Sequence, residues 1–337
     1  MRPQHLTCNN RENPQGIDSS QPRLGWWLPD GVQAAYQVRV EKRSPDGDDK
    51  PCWDSGRVDS ADSLNARYAG PPLEFLAWYR WQARFWTENG TASDWSEPGF
   101  WLTGMLDAGR WQGAWLSDGE RSAPPEPDYT VHPRDQDRAP VPDEAPALVL
   151  RKAFVVEQAP VQAVLAWCGL GYCDMTVNGT KPIDEVLFPP FTDYTKRVLY
   201  QTADVTRLLA GPGTHVLGAM LGNGFFNMQV PDLFQLEKAV WKQSPRLLAE
   251  LHLTFADGSR QVVRSDTTWR LSTGPIRFNC IRGGETIDAN HALGAWTAPG
   301  FDDAAWQEAV AVSAPAGKLV TQSIPPIRVT EEIEPMS

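Results

Sequence analysis

Seven consecutive residues, Tyr79-Arg80-Trp81-Gln82-Ala83-Arg84-Phe85, alternate apolar and polar without a break. Period two is the mark of a strand with one buried face, here the face of Tyr79, Trp81, Ala83 and Phe85. Asn89-Gly90 follows, the strongest short signal for a tight hairpin. The pattern recurs upstream. Leu24-Gly25-Trp26-Trp27-Leu28 is a short apolar strand ended by a turn at Pro29-Asp30-Gly31, and Ala35 to Val40 alternates again. Ser44-Pro45-Asp46-Gly47 carries turn chemistry at each place. Ser93-Asp94-Trp95-Ser96 and Phe100-Trp101-Leu102-Thr103 close the unit. Leu73, six residues before Tyr79, fits a tyrosine corner, in which a phenol at a strand start bonds to upstream backbone. Residues 1–104 are therefore expected to form a small β-sandwich.

Residues 147–312 read as a second, larger all-β domain. Leu148 to Val156, Val161 to Cys168, Tyr172 to Val177, Val198 to Tyr200, His215 to Leu221, Leu247 to Phe255 and Gln261 to Val263 are strand-like. Asn178-Gly179 and Asp257-Gly258 supply turns. Short strands at roughly ten-residue spacing indicate an antiparallel sandwich of jelly-roll type. One short helix is expected over Asp204 to Leu209, stopped by Gly211-Pro212. Between the domains, residues 105–146 form a connector in which Trp111 and Trp115 dock onto a neighbour. Its run Ala123-Pro124-Pro125-Glu126-Pro127 cannot build a core, and Arg134-Asp135-Gln136-Asp137 reads as solvated charge. Residues 313–337 form an extended tail, including Ser323 to Glu331, that leads towards an absent downstream domain.

The chain has 337 residues, enough for two or three domains. Fifteen tryptophans, 29 prolines and 27 glycines fit many short strands joined by turns, and sugar-handling proteins share this composition. A net charge of −11 argues against a nucleic-acid partner. No apolar run reaches the roughly 18–20 residues of a membrane helix. Met1-Arg2-Pro3-Gln4-His5 has no apolar leader core, so a cytoplasmic location is expected. Five cysteines, with no Cys-x-x-Cys pair, fit reduced and mostly buried thiols better than a disulfide scaffold or a zinc site.

No nucleophile elbow, zinc-protease motif or phosphate loop is present. His5, His132, His215, His252 and His291 are scattered, and His215 and His252 read as packing or surface groups. Asn89-Gly90-Thr91 and Asn178-Gly179-Thr180 match the glycosylation sequon, but the turn explanation suffices for both. The informative stretches lie in the second domain: Gly169-Leu170-Gly171-Tyr172, Phe188-Pro189-Pro190-Phe191-Thr192-Asp193-Tyr194, Leu221-Gly222-Asn223-Gly224-Phe225-Phe226-Asn227 and Gly283-Gly284-Glu285-Thr286-Ile287-Asp288. Sugars bind on an aromatic platform with amides and carboxylates for the hydroxyls. The candidate carbohydrate-binding residues are thus Phe188, Phe191, Asp193, Tyr194, Asn223, Phe225, Phe226, Asn227, Glu285 and Asp288. The structural alternative is that Phe188, Phe191 and Tyr194 close one end of the sandwich while Glu285 and Asp288 make loop hydrogen bonds.

The pattern of residues 1–104 resembles a fibronectin type III domain. Asn13 to Asp18, Phe191-Thr192-Asp193-Tyr194 with Arg197-Val198-Leu199-Tyr200, Leu221-Gly222-Asn223-Gly224, Gly283-Gly284-Glu285 and Pro325-Pro326-Ile327-Arg328-Val329 resemble the N-terminal half of bacterial α-L-rhamnosidases across essentially the whole chain. The resemblance implies a fibronectin-like domain followed by a jelly roll related to rhamnose-binding modules. It also implies a later (α/α)₆ barrel that carries the acid and base for inverting hydrolysis of terminal α-L-rhamnosides. An inverting glycosidase needs two carboxyls about 6.5–9.5 Å apart. The family's acidic cluster lies on the barrel and has no match here, so no catalytic residue carries over. Some relatives' rhamnose-binding modules use calcium, which makes calcium the only cofactor the resemblance suggests, with no residue set matched to it.

The expectation is a non-catalytic N-terminal portion of an α-L-rhamnosidase. It would scaffold a downstream catalytic domain and bind rhamnose-containing glycans. The rivals are a free-standing carbohydrate-binding protein and a cryptic glycosidase using Glu285 and Asp288.

Overall fold

The computed structural model describes residues 1–44, 47–121, 130 and 141–335. The turn residues Pro45 and Asp46, the Ala123–Pro127 run, His132, the Arg134–Asp137 cluster, Met336 and Ser337 lie outside the described residues. The chain is all-β, as expected, and divides into two units. One comprises Met1–Trp111 with Gln201–Ala203 and Thr321–Pro325. The other comprises Gln112–Tyr200, Asp204–Val320 and Pro326–Ser337.

In the first unit, a three-stranded sheet joins Gln4–Cys8, Arg23–Trp27 and Ala66–Arg67. A six-stranded sheet is built around Gln33–Lys42 and Trp78–Thr87. The alternation read from sequence holds: Tyr79, Trp81, Ala83 and Phe85 are buried while the residues between them are half-exposed. Tyr79, Trp81 and Ala83 share a core with Leu24, Trp26, Val38, Val40 and Trp101, which come from both sheets. Glu74 donates its backbone N–H to the Tyr79 hydroxyl at 2.9 Å, which is the corner bond, one residue past Leu73. Burial pushes the Tyr79 phenol up to about 12. The Asn13–Asp18 phrase acts as a clip. Asn13 Oδ1 accepts from Phe100 N–H at 2.9 Å, Gln15–Ile17 pairs in parallel with Gly99–Thr103, and Asp18 accepts from Leu106 and Thr321 N–H.

The second unit is built on two antiparallel sheets. The larger orders Val310–Val312, Trp115–Ser117, Arg246–Thr254, Gln162–Leu170, Arg197–Asp204 and Lys318–Thr321, with Arg260–Arg264 also paired to Arg246–Thr254. The smaller orders Tyr172–Val177, Gly213–Gly222, Leu148–Val156, Arg270–Thr273 and Gln307–Glu308. They meet at Gly169, where a Cβ would collide with Cys173 of the smaller sheet. A separate hairpin joins Ile276–Cys280 to Gly284–Ile287.

Three sequence readings change. Trp115 docks as part of a strand, and residues 318–321 of the expected tail form another. Both segments thus complete a sheet whose other strands lie far away in sequence. The expected helix is a single 3₁₀ turn, Thr206–Leu209. Val205 N–H donates to Ala163 O and Ala163 N–H to Thr206 Oγ1, so the segment is held to a strand and has no room to propagate. Beyond Ser323 the described residues of the tail form no strand; Val186 N–H donates to Ile327 O as an isolated bridge.

Burying a carboxylate requires donors, and Glu250 on Arg246–Thr254 has three. Its Oε1 accepts the backbone N–H of Gln112 and Gly113, and its Oε2 lies 2.9 Å from His252 Nε2. Burial alone would raise the Glu250 carboxyl, but these donors outweigh it and hold the group below its usual value. A depressed carboxyl contributes stability above its unfolded value and loses it as pH falls through the folded one. Glu250→Ala is therefore expected to cost about 1–3 kcal/mol at neutral pH, because two backbone N–H groups and His252 lose their acceptor. The deficit should shrink below about pH 4.5 as the wild-type carboxyl protonates. Chemical denaturation across pH 3–7 tests this; a gap constant over that range would contradict it.

Candidate functional site

The loop after Val186 delivers four of the expected residues, and they do not behave alike. Phe188 is 2% exposed, sits edge-on to Trp167 at 6.1 Å between ring centres, and is core. Tyr194 is buried too, and burial raises its phenol well above the usual value. Phe191 is 46% exposed. Asp193 spends its carboxylate locally: it accepts from Thr195 N–H and Oγ1 and pairs with Lys196 Nζ at 3.0 Å. These donors hold the Asp193 carboxyl below its usual range.

The Leu221–Asn227 stretch is glycine-rich because backbones touch there. At Gly171 (φ +98°) a Cβ would strike the Gly222 carbonyl, and at Gly224 (φ +51°) it would crowd the Gly171 backbone. Asn223, 2% exposed, uses all its polar capacity inside the fold. Its Nδ2 donates to Ala145 O and Asn279 O, its Oδ1 accepts from Asn227 Nδ2, and its own N–H donates to Asn279 Oδ1 at 2.6 Å. Asn223 and Asn227 thus tie the end of one strand to the Ile276–Cys280 hairpin.

The structure does bring the aromatic residues together. Phe191 lies 5.8 Å from Tyr194 and 5.0 Å from Phe225, and Phe226 lies 5.2 Å from Tyr194. Sequence reasoning missed a fifth ring, Trp241, which stands 5.8 Å from Tyr194 and 6.3 Å from Phe191. It also missed Arg246, whose guanidinium lies over Phe226 at 5.7 Å. The available signal for Trp241 was a lone tryptophan between lysines, Lys238 and Lys242, in a loop.

Glu285 and Asp288 stand apart from this cluster in the pattern of contacts. Glu285 is exposed on Gly284–Ile287, and Asp288 caps the short 3₁₀ turn Ala289–His291. Asp288 accepts from Asn290 N–H and Nδ2 and pairs with His291 at 3.5 Å; the Asn290 bonds hold its carboxyl low against a small opposing burial effect. Among the described residues, no group of three or more His, Cys, Asp or Glu side chains is placed to hold a metal ion. A surface cavity of about 280 Å³, lined by Val155, Glu157, Gln158, Phe255, Ser259 and Gln261, includes none of the candidate residues.

Together these features define an all-β module: an immunoglobulin-like unit and a larger two-sheet unit whose loops gather aromatic rings. The chain belongs to the α-L-rhamnosidase N-terminal domain family, whose model matches residues 158–331; residues 3–107 match a Rha78A-like N-terminal immunoglobulin domain. An α-L-rhamnosidase of Formosa agariphila is 30% identical over 342 residues, which cover 98% of this chain and 36% of the relative. The structure of the α-L-rhamnosidase from Dictyoglumus thermophilum superposes with a TM-score of 0.84 at 29% identity, over 99% of this chain and 37% of that one. The Streptomyces avermitilis α-L-rhamnosidase, solved in complex with L-rhamnose, shares the fold at 23% identity and TM-score 0.79, over 98% of this chain and 47% of that one. The chain spans about a third of the length of the curated relatives it matches.

Proposed function

We propose that this chain is the non-catalytic N-terminal part of an α-L-rhamnosidase, scaffolding a downstream domain that hydrolyses terminal α-L-rhamnosides. The observation that carries the reading is the coverage: relatives align with nearly all of this chain and only about a third of themselves. The side chains support it. Hydrolysis with inversion needs two carboxyls facing each other across a water. Asp193 and Asp288 are engaged by neighbouring donors, and Glu285 is exposed on a hairpin. The same proposal keeps the chain in the cytoplasm, where its five free thiols persist unpaired. Incubated with an aryl α-L-rhamnoside, the chain is expected to release no aglycone above the buffer rate. Turnover that falls in Glu285→Gln or Asp288→Asn would place the reacting carboxyls here and overturn the proposal.

The exposed ring of Phe191, with Phe225 and Trp241 beside it, favours a second role in holding rhamnosyl glycans. Phe188, Asn223 and Asn227 then act only by shaping the loops. Calorimetry with L-rhamnose is expected to give about millimolar affinity, near −4 kcal/mol, lost in Phe191→Ala. Absence of heat at saturating sugar would leave scaffolding alone.

A further inference from the structure

The tripeptide Asn-Gly-Thr occurs twice, at 89–91 and 178–180, and both glycines sit at φ +81°. The tripeptide and the glycine backbone match, while the asparagines differ in conformation, Asn178 lying at φ +50°, and in what surrounds them. Asn89 is exposed at the end of Trp78–Thr87. Its side-chain carbonyl accepts two hydrogen bonds, from Thr91 N–H at 3.1 Å and from Thr87 Oγ1. Both draw electrons from Cγ and stabilise negative charge arriving on Oδ1.

Asn178 is half-buried and locked at every polar atom. Its Nδ2 donates to Leu208 O at 3.0 Å and to His215 Nδ1 at 2.9 Å, and its Oδ1 accepts from Val216 N–H at 2.9 Å. The neighbouring His215 nitrogen must donate to Gly211 O at 2.9 Å, which leaves Nδ1 as the acceptor for Asn178. A threonine side chain, Thr297, closes over Gly179.

We infer that Asn89 is a site of spontaneous deamidation and that the fold protects Asn178 from the same reaction. The Gly90 nitrogen attacks Asn89 Cγ, its proton passes to solvent base, and the N–Cγ bond forms. The Cγ–Nδ2 bond breaks and ammonia leaves, giving a five-membered imide. Water then opens the ring at either carbonyl, yielding aspartate or isoaspartate. The net change is water in and ammonia out. Gly90 N–H must first release Thr87 O, to which it donates at 2.9 Å, and an exposed turn tip opens readily. At position 178 three side-chain bonds must break instead. The isoaspartyl product would lengthen the hairpin backbone and add a charge beside Glu88.

The test is to age the folded chain in mildly alkaline buffer and map tryptic peptides by mass, with a sample in concentrated urea alongside. The folded chain is expected to gain one dalton and an isoaspartyl product at 89 at least about tenfold faster than at 178. In urea the two peptides are expected to convert at comparable rates. Conversion of 178 as fast as 89 in the folded chain would overturn the inference. So would a folded chain inert at both positions while the unfolded one reacts.

Discussion

Gly171→Ala is expected to prevent the second unit from reaching its native packing. Gly171 joins Gln162–Leu170 to Tyr172–Val177, one strand from each sheet, at φ +98°. A side chain there is strained by its backbone alone. It would also point straight at the backbone carbonyl of Gly222, far inside contact distance, and close to the backbone carbonyl of Asn223. Neither obstacle is the end of a flexible side chain, so relief requires moving the strand Gly213–Gly222, which is paired along both its edges. An overlap that cannot relax in a packed interior belongs to the exceptional class of substitutions, above about 4 kcal/mol. The control is Gly258→Ala. Gly258 has φ +82° but open space around it, so only the backbone penalty of about 1–2 kcal/mol applies. Thermal melts followed by tryptophan fluorescence separate the two. A Gly171→Ala variant that melts no lower than Gly258→Ala would show that the backbones are not pressed together.

That triad of glycines also marks what was legible in the sequence. The strands over 79–85, 148–156 and 172–177 declared themselves because burial on one face, or in the centre of a sheet, writes a local pattern. The Asn-Gly turns did so because few residues tolerate positive φ. Trp115–Ser117 and Lys318–Thr321 did not, since such short strands carry no period and acquire structure from partners distant in sequence. The individual residues of the candidate site were less legible. An asparagine in a loop of aromatics has the right chemistry for a sugar hydroxyl, but residue type does not reveal whether its capacity is already spent. Asn223 gives all of it to Ala145, Asn279 and Asn227, and that is a fact about the fold. Phe188 and Phe191, three residues apart, end in the core and at the surface for the same reason.

Arg151→Ala is expected to lower the stability of the second unit by about 3 kcal/mol, within the range for breaking a buried ion pair. Arg151 lies on Leu148–Val156 and is 1% exposed, an unusual place for a charge. Its guanidinium satisfies one loop through three groups. Nε donates to Trp296 O at 2.9 Å, Nη2 to Ala298 O at 3.2 Å, and Nη1 pairs with Asp303, while the plane lies over Phe301 at 5.3 Å. The loop it holds has few alternatives, because residues 289–306 contain only one 3₁₀ turn and no strand. Lysine cannot reproduce the fork, so Arg151→Lys should recover little. Asp303→Asn should also be clearly destabilised, since it leaves the 1%-exposed guanidinium without its counter-charge. The informative variant is Arg151→Met, which keeps most of the volume and stem packing but removes the guanidinium donors to Trp296 O and Ala298 O. If the polar fork is what fastens the loop, Met should be nearly as destabilised as Ala, and amide exchange across 295–303 should accelerate in both. Should Arg151→Met unfold at the wild-type denaturant concentration, the stem rather than the charge would be holding this face together.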